Sequence, residues 1–329
     1  MSSMPMGVTF GSLAVLGPAA ATDIARSAQD LGYSSFWSVE ATGTDAMTIL
    51  AAAGQAAPGI DLGTGIIPIQ LRTPPLTAMT AATLQALNPD ADILLGVGVS
   101  APGILKPHGV EMTDKPIGLM REYVTLLREC LSGESVTFEG DYFNIKRFRL
   151  AMKPTERKPK IIMAALNPRM LKLAGEIADG VLLNYIPASH VAASVEQVRK
   201  GGNATIYAYV HAAAGELEER SRSAQRDLFN YAMVDGYARM FRQAGFEDEV
   251  NDLRSRFAEK DRDGAVAAIS DRMIQAIDFI GSESEITEFV RTYIDAGVEY
   301  PVLMPMPWGD DRRAVTDATM KAAIAAVNS

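Results

Sequence analysis

The run Leu62-Gly63-Thr64-Gly65-Ile66-Ile67-Pro68-Ile69-Gln70-Leu71-Arg72-Thr73-Pro74-Pro75 carries an apolar strand straight into a backbone turn and then into a proline-started helix. An earlier unit, Ser35-Phe36-Trp37-Ser38-Val39-Glu40, is built alike: a short apolar strand that ends on a carboxylate. Read as successive βα units of one parallel barrel, the two place their strand ends on a common face, where chemistry usually sits.

The rest of the chain keeps the rhythm. Short β-rich runs at 5–10, 34–39, 60–66, 92–98, 160–165, 180–184, 203–211 and 300–304 alternate with helical patterns at 19–32, 45–57, 74–87, 117–131, 168–178, 188–200, 264–276, 284–296 and 314–327. Alternation of this kind argues for parallel βαβ construction, and eight strands predict a (β/α)8 TIM-type barrel. At 329 residues the chain suits a single barrel domain over 1–329 with insertions. One insertion, at about 132–159, holds alternating residues around Gly140-Asp141 and reads as a hairpin. The other, at about 213–263, is densely charged, yet Leu228, Tyr231, Val234, Tyr237 and Phe241 recur at helical spacing. Such excursions serve packing, dimerisation or the substrate pocket.

Composition narrows the function classes. A net charge of -9 disfavours nucleic acid, whose phosphates need clustered Lys and Arg. No apolar run approaches a membrane span, and Met1-Ser2-Ser3-Met4-Pro5-Met6 lacks the basic-then-apolar order of a secretory leader, so a cytoplasmic protein is expected. The lone cysteine, Cys130, lies in a helical pattern and reads as a core residue. Three dispersed histidines with no pair at ligand spacing predict no metal site.

Several residues could carry chemistry. Glu40 ends the second strand at the expected mouth, as an acid/base group or as half of a structural ion pair. Asp45 suits a helix N-cap. His108 could donate a proton or brace its loop. Gly96 and Gly98 lack dinucleotide-fingerprint spacing, but small residues there let a cofactor approach the backbone. Asn167-Pro168 opens a helix whose free N–H groups suit an anion, or is simple capping. Lys146, Arg147, Arg149, Lys153, Arg157, Lys158 and Lys160 stand against one acid, Glu156, as an anionic contact or a solvated loop.

Taken in order, Phe36-Trp37-Ser38-Val39-Glu40, Leu62-Gly63-Thr64-Gly65-Ile66, Gly96-Val97-Gly98, Ala164-Ala165 and Ala174-Gly175-Glu176-Ile177-Ala178-Asp179-Gly180 resemble the luciferase-like class of coenzyme F-420-dependent oxidoreductases, from about residue 7 to 304. The resemblance implies hydride transfer between the 8-hydroxy-5-deazaflavin coenzyme and a small organic substrate in a homodimer. Glu40 would assist as acid or base, with His108 second. It also implies a non-prolyl cis peptide at Gly65-Ile66 backing the ring. Further cofactor contacts would come from Gly98, Val99, Ser100, Ala164, Ala165, Leu166, Asn167, Gly180 and Val181. The basic run would suit the coenzyme's oligoglutamate tail. An FMN-dependent monooxygenase and a non-catalytic flavin-binding barrel share the fold and stay open. The class's sugar-phosphate dehydrogenases carry Asp-His after strand two and a Glu after the strand-four glycines. Here Val39-Glu40 and Ala101 stand there, which disfavours that substrate, and Ala91-Asp92 replaces a common Gly-Arg before strand four.

Overall fold

The computed structural model describes residues 4–153 and 155–328. Met1–Ser3 of the leader reading, Pro154 within the basic run and Ser329 of the domain reading lie outside the described residues. The chain runs through β1 (Gly7–Thr9), β2 (Ser35–Ser38), β3 (Asp61–Thr64), β4 (Ile67–Pro68) and β5 (Ile93–Gly98). A hairpin, β6 (Val136–Glu139) and β7 (Asn144–Phe148), interrupts it before β8 (Lys160–Ala164), β9 (Gly180–Leu183), β10 (Thr205–Ala214), β11 (Asp278–Gly281) and β12 (Tyr300–Pro305). Strands β1, β2, β3, β5, β8, β9, β10 and β12 pair in that order, all parallel, and β12 returns to β1. This is the closed eight-stranded barrel that the alternating pattern predicts, ringed by helices.

Aromatic rings fill its interior. Trp37 points inward from β2 onto Tyr207 and Tyr209 of β10, with ring centroids 5.7 and 6.4 Å away, and its indole N–H donates to Ser35 Oγ at 2.7 Å. Tyr300 of β12 stacks on Tyr207 at 4.8 Å and donates to the same Ser35 oxygen. A barrel core of side-chain layers leaves little slack. Gly63 exists for that reason: a Cβ there would lie 2.3 Å from the Trp37 ring.

Local chemistry explains most helix ends. Gly32 closes Ala20–Leu31 in the left-handed conformation with φ 92°, which favours glycine. Thr73 and Asp45 cap Pro74–Leu87 and Ala46–Ala56 through their side chains. Cys130 is buried at the end of Pro116–Cys130, as a core cysteine should be. From that helix, Glu122 accepts the N–H groups of Asp141, Tyr142 and Phe143 at 2.8, 2.9 and 2.6 Å, pinning the hairpin turn to the barrel wall.

Two differences from the sequence pattern stand out. The helix predicted over 264–276 is two, Arg262–Ala267 and Asp271–Ile277, because the Ser270 hydroxyl caps a new start at Met273 N. Strand β10 continues to Ala214 rather than 211, and β11, which the pattern does not predict, pairs with its extension from His211 to Ala214. The charged excursion folds as Leu217–Ala232, Asp235–Gln243 and Glu247–Ala258.

A candidate cofactor site at the barrel mouth

At the C-terminal end of β3 the Gly65–Ile66 peptide is cis, as the resemblance implies. The turn is tied on every side. Gly65 N–H donates to Ser38 O at 2.8 Å, Tyr209 O–H donates to Gly65 O at 3.1 Å, and Glu40 N–H donates to Ile66 O at 3.1 Å. Pairing then resumes in β4, with Ile67 opposite Val97 and Pro68 opposite Gly98.

The Ile66 side chain lies across the ends of the next two barrel strands. A Cβ on Gly98 would sit 3.1 Å from Ile66 Cδ1 and 3.2 Å from Ala164 Cβ, and one on Gly96 would strike Thr64 O at 1.7 Å. The Ile66 side chain and Ala164 Cβ thus lie close over the bare Gly98 backbone, and with Gly65, whose missing Cβ makes room for Tyr209 Oη, the ends of β3, β5 and β8 meet in a shelf of small and apolar residues. Val99 and Ser100 follow β5 along the chain, Ser100 with a positive φ of 56°, and Ala165, Leu166 and Asn167 follow β8.

Two polar side chains on these loops carry an acceptor without a donor. Asn167 holds the N-cap position of Pro168–Ile177, yet its side chain makes no capping bond, and its buried Oδ1 has no partner among the described residues. Gln70 donates Nε2–H to Val99 O at 2.9 Å while its buried Oε1 is likewise unpaired. Leaving such groups unmade costs about 1–3 kcal/mol each, so both oxygens suit hydroxyl or N–H donors of a bound molecule. The uncapped first-turn N–H groups after Asn167 suit its phosphate. The shelf and the orphaned acceptors fit a tricyclic ring with a polyhydroxylated, phosphorylated side chain.

The two candidate catalytic side chains are already engaged. Glu40 is clamped by Arg72 through Nε and Nη2, each at 2.8 Å, with side-chain exposures of 11% and 15%. Arg72 also pairs with Asp45, whose other oxygen caps Thr48 N at 2.7 Å. The Glu40 hydrogen bond, then its charge and that of Asp45, raise the Arg72 pKa against burial. Burial would raise the Asp45 carboxyl, but Thr48 and Arg72 outweigh it and hold the group low. This geometry is that of the ion-pair alternative for Glu40. His108 is exposed, and its Nε2 donates to Ala41 O at 2.8 Å, bracing the loop after β5 against the loop after β2.

Other sequence candidates lie elsewhere. Gly180 and Val181 open β9 and so sit at the barrel end opposite the mouth, where the missing Gly180 side chain makes room for the Tyr207 ring. They are not part of the shelf. The basic run does not reach it either. Lys160 opens β8 and, with Arg157, pairs with Asp92 just before β5, at 2.6 and 3.0 Å, again at the far end. Asp92 thus ties the start of β5 to the segment that opens β8. Burial would raise its carboxyl, but Lys160 and Arg157 hold it below the usual range.

Sequence reasoning missed a polar cluster deeper in the mouth. His211 follows Tyr209 on the inner face of β10. Its Nδ1 lies 3.0 Å from Asp278 Oδ1, and its Nε2 lies 3.0 Å from Asn184 Oδ1. Asn184 Nδ2 donates to Tyr237 Oη at 3.0 Å, and Tyr185 O–H donates to Asp227 Oδ2 at 2.7 Å. Burial dominates the titration of all three charged groups, pushing His211 down to about 4, Asp227 up to about 7 and Asp278 up to about 8. The only signal in the sequence is a histidine and an aspartate set singly within apolar strands.

The closed ring of parallel strands with helices around it defines a (β/α)8 barrel whose strand C-termini form the mouth. The profile of the luciferase-like monooxygenase family matches residues 6–300, and the chain belongs to that family. It is 25% identical over 305 residues to the 5,10-methylenetetrahydromethanopterin reductase of Archaeoglobus fulgidus, covering 88% of this chain and 90% of that protein. It is 35% identical over 147 residues to an F-420-dependent glucose-6-phosphate dehydrogenase of Intrasporangium calvum, 42% of each chain. The fold matches the coenzyme F-420-dependent tetrahydromethanopterin reductase of Methanopyrus kandleri with a TM-score of 0.81 at 20% identity, over 99% of this chain and 100% of that one. Among the described residues no helix is long and apolar enough to cross a membrane.

Proposed function

We propose that this chain is an oxidoreductase that seats coenzyme F-420 on the shelf of Gly65, Ile66, Gly98 and Ala164 and passes a hydride between it and a small organic substrate. The observation that carries the reading is the shelf itself, with its unpaired Asn167 and Gln70 oxygens. The named activities of the relatives above support the choice of a deazaflavin over FMN. When bound, the deazaflavin ring supplies the two-electron chemistry.

The protein's part is placement. Ile66 presses an apolar face toward the ring, and Tyr209 and the Glu40 backbone N–H hold the two carbonyls of the turn that carries it. Asn167, with the first turn of Pro168–Ile177, receives the polar side chain of the coenzyme. Glu40 is assigned as a positioning residue: its clamp on Arg72 fixes the chain segment that donates to Ile66 O. His108 is assigned as a brace of the mouth loops. Sugar phosphates remain a poor expectation, since Val39-Glu40 and Ala101 depart from that pattern.

The barrel and its insertions are taken as one unit that pairs with a second copy. Helix Pro74–Leu87 has no charged residue, yet Leu76, Met79 and Leu87 stand 45, 50 and 54% exposed on it. A helix uncharged along its length at a surface suits a partner. Light scattering at micromolar concentration should give twice the mass of one chain, and Met79→Glu should shift it to one.

The test of function is spectroscopic. Reduced coenzyme offered with a panel of carbonyl and alkene acceptors, and oxidised coenzyme with alcohols, should show protein-dependent change in the deazaflavin band for at least one substrate class. No change with any class, together with oxygen-dependent turnover on reduced FMN, would move the function to the monooxygenase alternative.

A further inference from the structure

The deep polar cluster ends in a hydrogen that the fold leaves unused. Asp278 is fully buried, Asp227 is half-buried and hydrogen-bonded to it, and the one basic group facing them is His211. Tyr185 donates its O–H to Asp227, and Tyr231 and Tyr293 complete the titratable surroundings of the pair. With no Lys or Arg at ion-pair distance among the described residues, burial keeps both carboxyls protonated below about pH 7 and the imidazole neutral above about 4.

Protons at the inner end turn every bond of the chain outward. Asp278 O–H donates to His211 Nδ1 at 3.0 Å, so the ring hydrogen sits on Nε2, which donates to Asn184 Oδ1 at 3.0 Å. Asn184 Nδ2 then donates to Tyr237 Oη at 3.0 Å. Tyr237 thus receives a hydrogen bond and keeps its own hydrogen, for which no acceptor stands among the described residues. Donors aligned head to tail polarise one another, which strengthens the last of them. The chain also lies in the right place. Tyr209, two residues before His211 on the same face of β10, holds Gly65 O, and its ring is 6.4 Å from that of His211. Helix Asp235–Gln243, which carries Tyr237, starts beside Asn167: a Cβ on Gly236 would be 3.8 Å from Asn167 Nδ2. The donors therefore cross the mouth over the shelf, from closed-off Asp278 and His211 to half-buried Asn184 and Tyr237.

We propose that Tyr237 hydrogen-bonds the oxygen of a carbonyl substrate and gives it a proton, with Asn184 and His211 as positioning residues that keep the Tyr237 O–H turned outward. The inference rests on the oxidoreductase reading above and narrows its acceptors to ketones and aldehydes. Their oxygen takes both the hydrogen bond and the proton, whereas an activated alkene takes its proton on carbon. As hydride reaches the carbonyl carbon, a C–H bond forms, the C=O π pair moves onto oxygen, and the Tyr237 O–H bond breaks to place its proton there. The phenolate left behind is held by Asn184 Nδ2–H and regains a proton from water at the mouth. Burial pushes Tyr237 up to about 12, so it enters each turnover as the phenol. Pinning the insertion to the barrel, the plainer use of Tyr237, needs its oxygen and not its hydrogen.

Two readouts separate this role from the cofactor reading. Nitrogen-15 NMR of the coenzyme-free chain at about pH 6, with the His211 signals assigned by their loss in His211→Gln, should show hydrogen on Nε2 and a bare Nδ1. The order should reverse as pH rises through about 7 to 8 and the carboxyl pair ionises. With reduced coenzyme, Tyr237→Phe should bind F-420 as the unmodified chain does, unfold as cooperatively, and lower kcat on ketones or aldehydes by at least about 100-fold. The unmodified rate should fall over that same pH range, as the Tyr237 O–H turns inward to Asn184, and the residual rate of Tyr237→Phe should not. Turnover of activated alkenes alone, Nδ1–H on His211 at about pH 6, or a kcat within about threefold in Tyr237→Phe overturns the proposal and leaves the coenzyme in place. A chain that binds no F-420 overturns the function and this role with it.

Discussion

Replacing Gly65 by alanine should destabilise the protein far more than one methyl group suggests. The new Cβ would lie 1.8 Å from Tyr209 Oη and 2.6 Å from Cζ. Tyr209 must therefore retreat by more than 1 Å, but it is 1% exposed, packed on Trp37, and its hydroxyl holds Gly65 O at 3.1 Å. Overpacking a tight core costs about 1–3 kcal/mol, and a lost neutral hydrogen bond adds about 1 kcal/mol. The sum is about 2–4 kcal/mol, read as a drop in the urea midpoint at constant slope. Gly43→Ala is the control, since a Cβ there meets nothing within 4 Å. Tyr209→Phe removes the closest atom, so the double variant should recover at least about 1 kcal/mol relative to additivity. A Gly65→Ala cost below about 0.5 kcal/mol, or strictly additive variants, would refute the close approach of Tyr209 to the turn.

Glu40→Gln keeps one acceptor for Arg72 but removes the charge and the second hydrogen bond; a loss of about 1–2 kcal/mol in stability, with KM for the coenzyme rising more than kcat falls, is expected, and a kcat collapse at unchanged KM would return Glu40 to acid/base work. His108→Gln keeps a donor for Ala41 O while removing the titrating ring, so kcat should stay within about threefold across pH, and a larger fall would make His108 a proton donor. Asp92 is held below its unfolded pKa, so its stabilisation is present above the unfolded value of about 3.9 and is lost as pH falls through the folded one. Asp92→Asn should accordingly cost under about 1 kcal/mol at pH 7, because Arg157 and Lys160 are half exposed, and nothing in acid; equal costs at both pH values would contradict the pairing.

The barrel was legible because apolar strand runs alternate with helical patterns, some opened by a capping residue such as Asp45 or Thr73, signals that lie close together along the chain. The shelf was legible in part: small residues at Gly65, Gly98 and Ala164 mark where backbone can be approached, but the cis bond rests on family likeness and not on periodicity. Gly180 shows the limit of likeness, since a motif spanning a strand start says nothing about which barrel end it occupies. The basic run misleads for a related reason. Its partner Asp92 is 68 residues from Lys160, and only the register of β5 and β8 unites them. His211, Asp227 and Asp278 come from a strand, an inserted helix and an annexed strand, so no motif spacing exists to be read, and β11 itself becomes a strand only by pairing with β10.

The central claim, a deazaflavin seated against Ile66, Gly98 and Ala164, is tested most directly by equilibrium titration of the chain with oxidised F-420 and with FMN, alongside Gly98→Val. A β-branched side chain at Gly98 would fill the shelf, its Cβ already 3.1 Å from Ile66 and 3.2 Å from Ala164. The account predicts tighter binding of F-420 than of FMN, and at least about tenfold weaker F-420 binding by a Gly98→Val protein that still unfolds cooperatively. Tighter FMN binding would contradict the cofactor, and unchanged F-420 affinity in the folded variant would contradict the shelf.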